Sequence, residues 1–326
     1  MKLIVNKIAT YKTSLGGKRY YEGILSELNW PGSITETSLP RFSAFDRCIE
    51  TFQLGEPSAV FWSPNQRGPI FARNHVVTVL DCINVEFTYS KDWRLPILKG
   101  ITQAIFHNAV AIVAISNATR AAILRNYSVD ESKVIVIPGP TQFKIDSFLG
   151  DGVANTISRE RYALLVSNTL PHKNTTLAAR AFAKSNAAKS GVALRIIGSL
   201  SDQGVICCKD AGVKLEIQHG VSNSQLLTSF KNAEFLLSPS LDEGLNLPIA
   251  EALALHVPVL CSDIPVHREF YDGHVSFFDP NNMDSMVTCI NNALDGGGII
   301  SLDRYTGTTY KEVAEKYKLL FMKFCR

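Results

Sequence analysis

Short apolar runs alternate with longer amphipathic stretches along the chain. In the first half, KLIVNKIA (2–9), SAVFWSP (58–64), HVVTVLD (75–81), VAIVAIS (110–116) and KVIVIPG (133–139) are rich in valine, isoleucine and alanine. Runs this nearly continuous suit strands covered on both faces, as in a parallel sheet. Between them, KRYYEGILSEL (18–28), RFSAFDRCIETFQL (41–54), RLPILKGITQAIFHNA (94–109) and NATRAAILRNYS (117–128) predict helices. Asn117 is the expected N-cap of the last, following a strand that ends at Ser116.

The second half repeats the alternation. Strands are predicted at RYALLVSN (161–168), VALRIIGS (192–199), VKLEIQHG (213–220), EFLLSPS (234–240), VPVLCSD (257–263) and VSFFDP (275–280). Helices are predicted at 175–190, stopping at Gly191, then at 223–233, after Leu247, and at 283–294. Such order implies β-α-β units and mostly parallel sheets. The polar, glycine-containing stretch 141–161 reads as a linker. An α/β chain of two doubly wound domains follows, 1–150 and 151–307, with the terminal segment 308–326 expected to pack back on the first.

Composition narrows the class. The chain has 326 residues, is 46% apolar and carries a net charge of +3. It is long enough for two cores, and too weakly and diffusely basic for a nucleic-acid binder. No apolar run approaches the ~18 residues of a membrane-spanning helix, and the N-terminus reads as a strand rather than a signal peptide. Seven cysteines with no C-x-x-C pair fit a reducing, cytoplasmic setting, and Cys207 and Cys208 read as packing residues beside a strand end.

The chemistry concentrates in PSLDEGLNLPIAEALALHVPV (239–259). A strand, a turn holding Glu243 and Gly244, and Pro248 at a helix start place the amides of Gly244, Leu245, Asn246 and Leu247 at the positive end of a helix dipole. That arrangement suits a phosphate or a polarised sugar hydroxyl. Gly244 lets the backbone approach closely. Glu243 in the turn and Glu251 one turn deeper reach different parts of a ligand, and a carboxylate accepting from a diol holds a sugar or ribose. The plainer reading makes Glu251 a dipole-stabilising first-turn acid and Glu243 a solvated loop residue; the flanking strand, glycine and proline argue against it. Ser262, Asp263 and Ile264 follow a strand end and are further candidates to line a nucleotide pocket, with His267, Arg268 and Glu269 opening the next helix. In open parallel sheets such groups gather beyond the carboxyl ends of the strands.

These residues resemble the donor-binding signature of retaining glycosyltransferases of family 4, commonly close to EGFGLPxxEAxAxGxPVxxS. Glu243, Gly244, Leu247, Pro248, Glu251, Ala252 and Pro258 match it, while Asn246 and His256 stand where glycine is usual. The resemblance implies the GT-B fold, two Rossmann-like domains facing across a cleft, with Glu243 on the transferred sugar and Glu251 on the nucleotide ribose. VSNTLPHKNTTLAARAF (166–182) is similar to the family segment vGtxxxRKNxxxLixAF, which implies a diphosphate contact for Lys173 and puts His172 where arginine is usual. SLGGKRYYEGIL (14–25) looks like the first phosphate-approaching loop, with Gly16 and Gly17 as its glycines. HVVTVLDCINVEF is similar to the segment that carries His-Asp, read here as Leu80-Asp81.

Retaining transfer without a metal follows from the resemblance, with catalytic roles for Glu243, Lys173 and Asp81. The expected donor is a GDP- or UDP/dTDP-sugar, mannose-like or a 6-deoxyhexose. The expected acceptor is a saccharide or undecaprenyl-linked glycan in O-antigen, capsule or exopolysaccharide synthesis. The basic, apolar stretch Lys91, Trp93, Arg94, Ile97, Leu98 and Lys99 reads first as a helix docked on its own sheet; the alternative is peripheral contact with the inner membrane face, near a lipid-linked acceptor. Two rivals stay open, a non-hydrolysing nucleotide-sugar epimerase of GT-B fold and a catalytically inactive scaffold subunit.

Overall fold

The computed structural model describes residues 1–6, 15–37, 58–87, 94–142, 161–296 and 305–325. The expected helix at 41–54, most of the expected linker, and Lys91 and Trp93 lie outside them. In chain order come β1 (Lys2–Asn6), α1 (Leu15–Glu27), β2 (Ser33–Thr37), β3 (Ala59–Ser63), β4 (His75–Val79), α2 (Ile83–Glu86), α3 (Arg94–Asn108), β5 (Ala111–Ala114), α4 (Asn117–Asn126) and β6 (Val134–Val136). Next are β7 (Tyr162–Ser167), α5 (Thr175–Lys184), β8 (Ala193–Gly198), α6 (Asp202–Asp210), β9 (Leu215–Gln218), α7 (Asn223–Lys231) and β10 (Phe235–Ser238). The last are α8 (Leu247–Ala254), β11 (Val259–Ser262), α9 (Pro265–Tyr271), β12 (Ser276–Phe278), α10 (Met283–Leu294) and α11 (Tyr310–Phe324).

The chain divides into two compact units, Met1–Pro140 with Thr308–Arg326, and Thr141–Gly307. In the first, six parallel strands run in the order β2-β1-β3-β4-β5-β6. Strands β3, β4 and β5 are buried along their whole length, as their unbroken apolar runs require. Helix α11 covers one face: Tyr317 stacks near Trp62, and its hydroxyl bonds to Thr78 Oγ1 at 2.7 Å and Tyr20 OH at 3.0 Å. Trp62 Nε1 closes this buried network by donating to Thr78 at 3.0 Å. The hydroxyls of two tyrosines are thereby satisfied inside an apolar layer.

The second unit holds six parallel strands in the order β12-β11-β10-β7-β8-β9. One face packs on α5, α6 and α10 around Phe182, Leu194, Ile196, Met286 and Ile290, the other on α8 and α9 around Tyr162, Leu164, Ile249, Ala252 and Tyr271. From β7 the chain steps outward to β8 and β9, then returns to place β10 on β7's other side. The order therefore reverses between β7 and β10, and the loops leaving those two strands diverge there.

Four local expectations need correction. Ser116, not Asn117, caps α4, its side chain accepting from Thr119 N. Helix α5 ends at Lys184, well before Gly191, because Ser185 turns to extended backbone, donates to Phe182 O at 2.7 Å and accepts from Ala187 N at 3.2 Å. Cys207 and Cys208 lie inside α6 rather than beside a strand end. Burial pushes the Cys208 thiol up to about 11, so it is an inert packing residue. The edge strand β2, SITET, has no counterpart in the apolar pattern because it is exposed over four of its five residues.

Candidate donor site at the β7/β10 switch point

Lys173 and Glu243 come from the two loops that flank the reversal. After β7 a 3₁₀ turn, Pro171–Lys173, ends at Asn174, whose backbone is left-handed (φ 51°) and whose side chain donates to Pro280 O at 2.8 Å. After β10 the chain bends through 239–246 into α8. Leu241 N donates to His172 O at 2.7 Å and ties the two turns together. With both backbones fixed, Lys173 Nζ lies 2.5 Å from Glu243 Oε1, and Ser240 Oγ donates to the same oxygen at 2.7 Å. Oε2 takes neither bond.

The pair is largely out of water, with the side chains 23% and 10% exposed. Burial opposes the Glu243 charge, but the Lys173 ammonium and the hydrogen bonds from Lys173 and Ser240 outweigh it and hold the carboxyl below its ordinary value. The group is an ionised acceptor at neutral pH. Beside it, burial and the Lys173 charge push the His172 imidazole down to about 4, so His172 is neutral. It adds no cation to the one Lys173 supplies.

The turn 241–246 has its own architecture. Asn246 is left-handed (φ 63°) immediately before α8, and Pro248 occupies the first turn of that helix, where a missing N–H costs nothing. Gly244, Leu245 and Asn246 are buried, and Leu247 is partly so. Glu251 is 4% exposed and sits in the second turn of α8, which removes the reading of it as a dipole-stabilising first-turn acid, and the Glu243 side chain, 10% exposed, is not a solvated loop residue. Asp263 is exposed and paired with Arg268 at 2.7 Å, whereas Ser262 and Ile264 are buried.

The second unit thus brings together Lys173, His172, Glu243, Gly244, Leu245, Asn246, Leu247 and Glu251 around one strand-order reversal. Gly16, Gly17 and Asp81 belong to the first unit. Gly16 and Gly17 form the first turn of α1 rather than the loop before it. Asp81 follows the carboxyl end of β4, its Oδ1 accepting from Ile83 N at 3.2 Å. Sequence reasoning missed Ser240, whose only signal is its position three residues before Glu243, and the supports of the turn by His267 and Tyr271, which are non-local.

Chemically, the site offers a cation and a carboxylate that neutralise each other until a ligand separates them. An anionic group engaging Lys173 would free Oε1 to accept from a neighbouring hydroxyl, so an anion and a polyol are bound by one exchange of partners.

Residues 153–311 match the family model described as Glycosyl transferases group 1. The O-antigen chain mannosyltransferase RfbU of Salmonella typhimurium is 28% identical over 187 residues, covering 56% of this chain and 50% of RfbU. The MMP alpha-(1->4)-mannosyltransferase of Mycolicibacterium hassiacum is 23% identical over 225 residues, 65% of this chain and 53% of that protein. The chain spans about half the length of these curated relatives. Among solved structures, Anabaena Alr3699/HepE in complex with UDP and glucose superposes with a TM-score of 0.72 at 13% identity, covering 99% of this chain and 100% of HepE. At that identity the likeness is one of fold. The matched domain, the mannosyltransferase relatives and the pair of six-stranded parallel sheets together support a glycosyltransferase of the GT-B type.

Proposed function

We propose that the chain is a retaining glycosyltransferase that moves a hexose or deoxyhexose, mannose-like, from a nucleotide diphosphate sugar to a glycan or lipid-linked saccharide in surface-polysaccharide synthesis. The observation that carries this is the Lys173–Glu243 pair at the β7/β10 reversal, with the start of α8 beside it. Breaking the sugar–phosphate bond builds negative charge on the departing diphosphate. Lys173 and the amides of Gly244, Leu245, Asn246 and Leu247 offset that charge, the role a metal ion fills in other transferases. As Lys173 turns to the diphosphate, Glu243 accepts from the sugar. Glu251, buried one turn on, takes the ribose. Because His172 is neutral, one side-chain cation serves the diphosphate from this turn.

In the first unit, Gly16 and Gly17 are assigned to the donor and Asp81 to the reacting hydroxyl. The reading includes a peripheral membrane contact. It is supported by α3, whose C-terminal half docks through Ile105 and Phe106 while Arg94, Ile97, Leu98 and Lys99 stay exposed. The preference for a mannose-like sugar and for O-antigen-type acceptors rests on the named relatives. The UDP and glucose in HepE support a nucleotide-sugar donor.

The test is transfer itself. With GDP-mannose and UDP- or dTDP-hexoses, product should form only when a saccharide or polyprenyl-linked acceptor is added, with the anomeric configuration kept. Glu243→Gln should lower kcat by about 10²–10³. A rearranged or freed donor sugar without acceptor would support the epimerase instead, and full activity in Glu243→Gln would remove the proposed site.

A further inference from the structure

Helix α9 is packed so that two buried side chains, His267 and Tyr271, one turn apart, face the turn between β10 and α8. The Tyr271 hydroxyl donates to Leu245 O at 2.9 Å and reaches Asn246 O at 3.3 Å. His267 Nδ1 lies 2.8 Å from Ser262 O; a carbonyl can only accept, so the proton is on Nδ1. Nε2 is then an acceptor, and Asn246 Nδ2 stands 2.8 Å from it. The second hydrogen of that amide goes to Ser238 Oγ at 2.8 Å. Both hydrogens of the Asn246 amide are therefore used, inside a site where His267 is 0% and Asn246 7% exposed.

The opposite orientation of the amide would set Oδ1 against Nε2 and require a second proton on the ring. Burial disfavours that form, pushing the imidazole down to about 4 against the smaller opposing effects of the Ser262 carbonyl and the Glu243 and Asp263 carboxylates. Asn246 meanwhile holds a left-handed backbone at a position that glycine adopts without strain.

We infer that His267 is a positioning residue for the donor site: through its acceptor nitrogen it grips the Asn246 side chain, and so fixes the left-handed bend that aims Glu243 and the Gly244–Leu247 amides. Here the side chain at 246 serves as a handle, and His267 is the hand that holds it. This inference rests on the donor-site reading of the turn.

The experiment is a coupling measurement between the two residues. Donor affinity, read as the KM or Kd of the nucleotide sugar that the wild-type chain uses, is compared for wild type, His267→Phe, His267→Gln, Asn246→Gly and Asn246→Gly/His267→Phe. Hydrogen exchange of the 243–247 amides is followed in all five, with α5 as an internal reference. His267→Phe should raise the donor KM about 10-fold, with a smaller change in kcat, and speed exchange in the turn but not in α5. His267→Gln, which keeps an acceptor and a donor, should recover most of both. In the Asn246→Gly background, His267→Phe should change the KM by less than about 2-fold.

Equal losses from His267→Phe in both backgrounds would overturn the inference while leaving the donor reading intact. A wild-type chain that binds no nucleotide sugar would remove the donor reading, and the exchange data would still decide whether His267 holds the turn through Asn246. If His267→Phe fails to fold, Asn246→Asp answers the same question. A carboxylate facing Nε2 must raise the His267 pKa, seen in the imidazole ¹⁵N shifts, and an unchanged pKa would overturn the contact.

Discussion

Among the four described non-glycine residues with left-handed backbone, Asn246 and His256 separate structural from functional cause. Asn246 (φ 63°) and His256 (φ 57°) are both left-handed, at the two positions where the resembled family commonly has glycine. His256 closes α8: its N–H donates to Leu253 O at 3.1 Å, and Val257 N donates to Ala252 O at 2.9 Å. This pair of bonds is the Schellman pattern, in which the left-handed residue is usually glycine. The His256 side chain is exposed, so His256→Gly should stabilise the chain by about 1 kcal/mol, raising the urea midpoint. Asn246→Gly gains less relief, because asparagine tolerates the left-handed region, and it gives up two buried hydrogen bonds, so it should come out less stable than His256→Gly by about 1–3 kcal/mol. Both positions were legible from the sequence as departures from a glycine pattern. What each side chain does in exchange was not, because His267 stands 21 residues from Asn246 and no local spacing encodes that contact.

At the scale of elements, apolar runs were the readable signal, and they located every described strand except β2. What they missed follows from the same physics. Strand β2 is an exposed edge with polar side chains. Helix α6 (DQGVICCKD) buries only Gly204 and Cys208, so it shows no helical stripe. The strand ends also impose a constraint invisible in a one-dimensional pattern. Gly198 (φ 122°) ends β8, and a Cβ there would sit 1.7 Å from Ser167 O at the end of β7. Gly198→Ala must therefore part the two strands where the Lys173 loop begins. It should cost about 2–4 kcal/mol in a denaturant titration and weaken donor binding together with stability. A variant as stable as the wild type would contradict that packing.

Across the whole molecule, both units bury neutral imidazoles. His75 in the first unit, bonded to Ser63 at 2.9 Å, is pushed down to about 3 by burial, and His172 and His267 in the second to about 4. Between those values and the ordinary 6.5 the unfolded chain binds more protons than the folded one, so stability falls as pH drops through that window. Glu243 acts in the same sense: its depressed carboxyl stabilises the fold above the ordinary carboxylate range, and that contribution is lost as pH falls through the folded value. Each histidine contributes up to about 1.4 kcal/mol per pH unit in its window. The urea midpoint should thus drop clearly from pH 7.5 to pH 5, and a flat profile would contradict neutral burial. The central claim, that Lys173 and Glu243 form a diphosphate-sugar site, is tested most directly by calorimetric titration of wild type and Lys173→Met with GDP-mannose and UDP- and dTDP-hexoses. One of these donors should bind the wild type, and Lys173→Met should weaken it by about 10–100-fold, the worth of a charged hydrogen bond at ~1.5–3 kcal/mol. Binding of equal strength to both proteins would contradict the account.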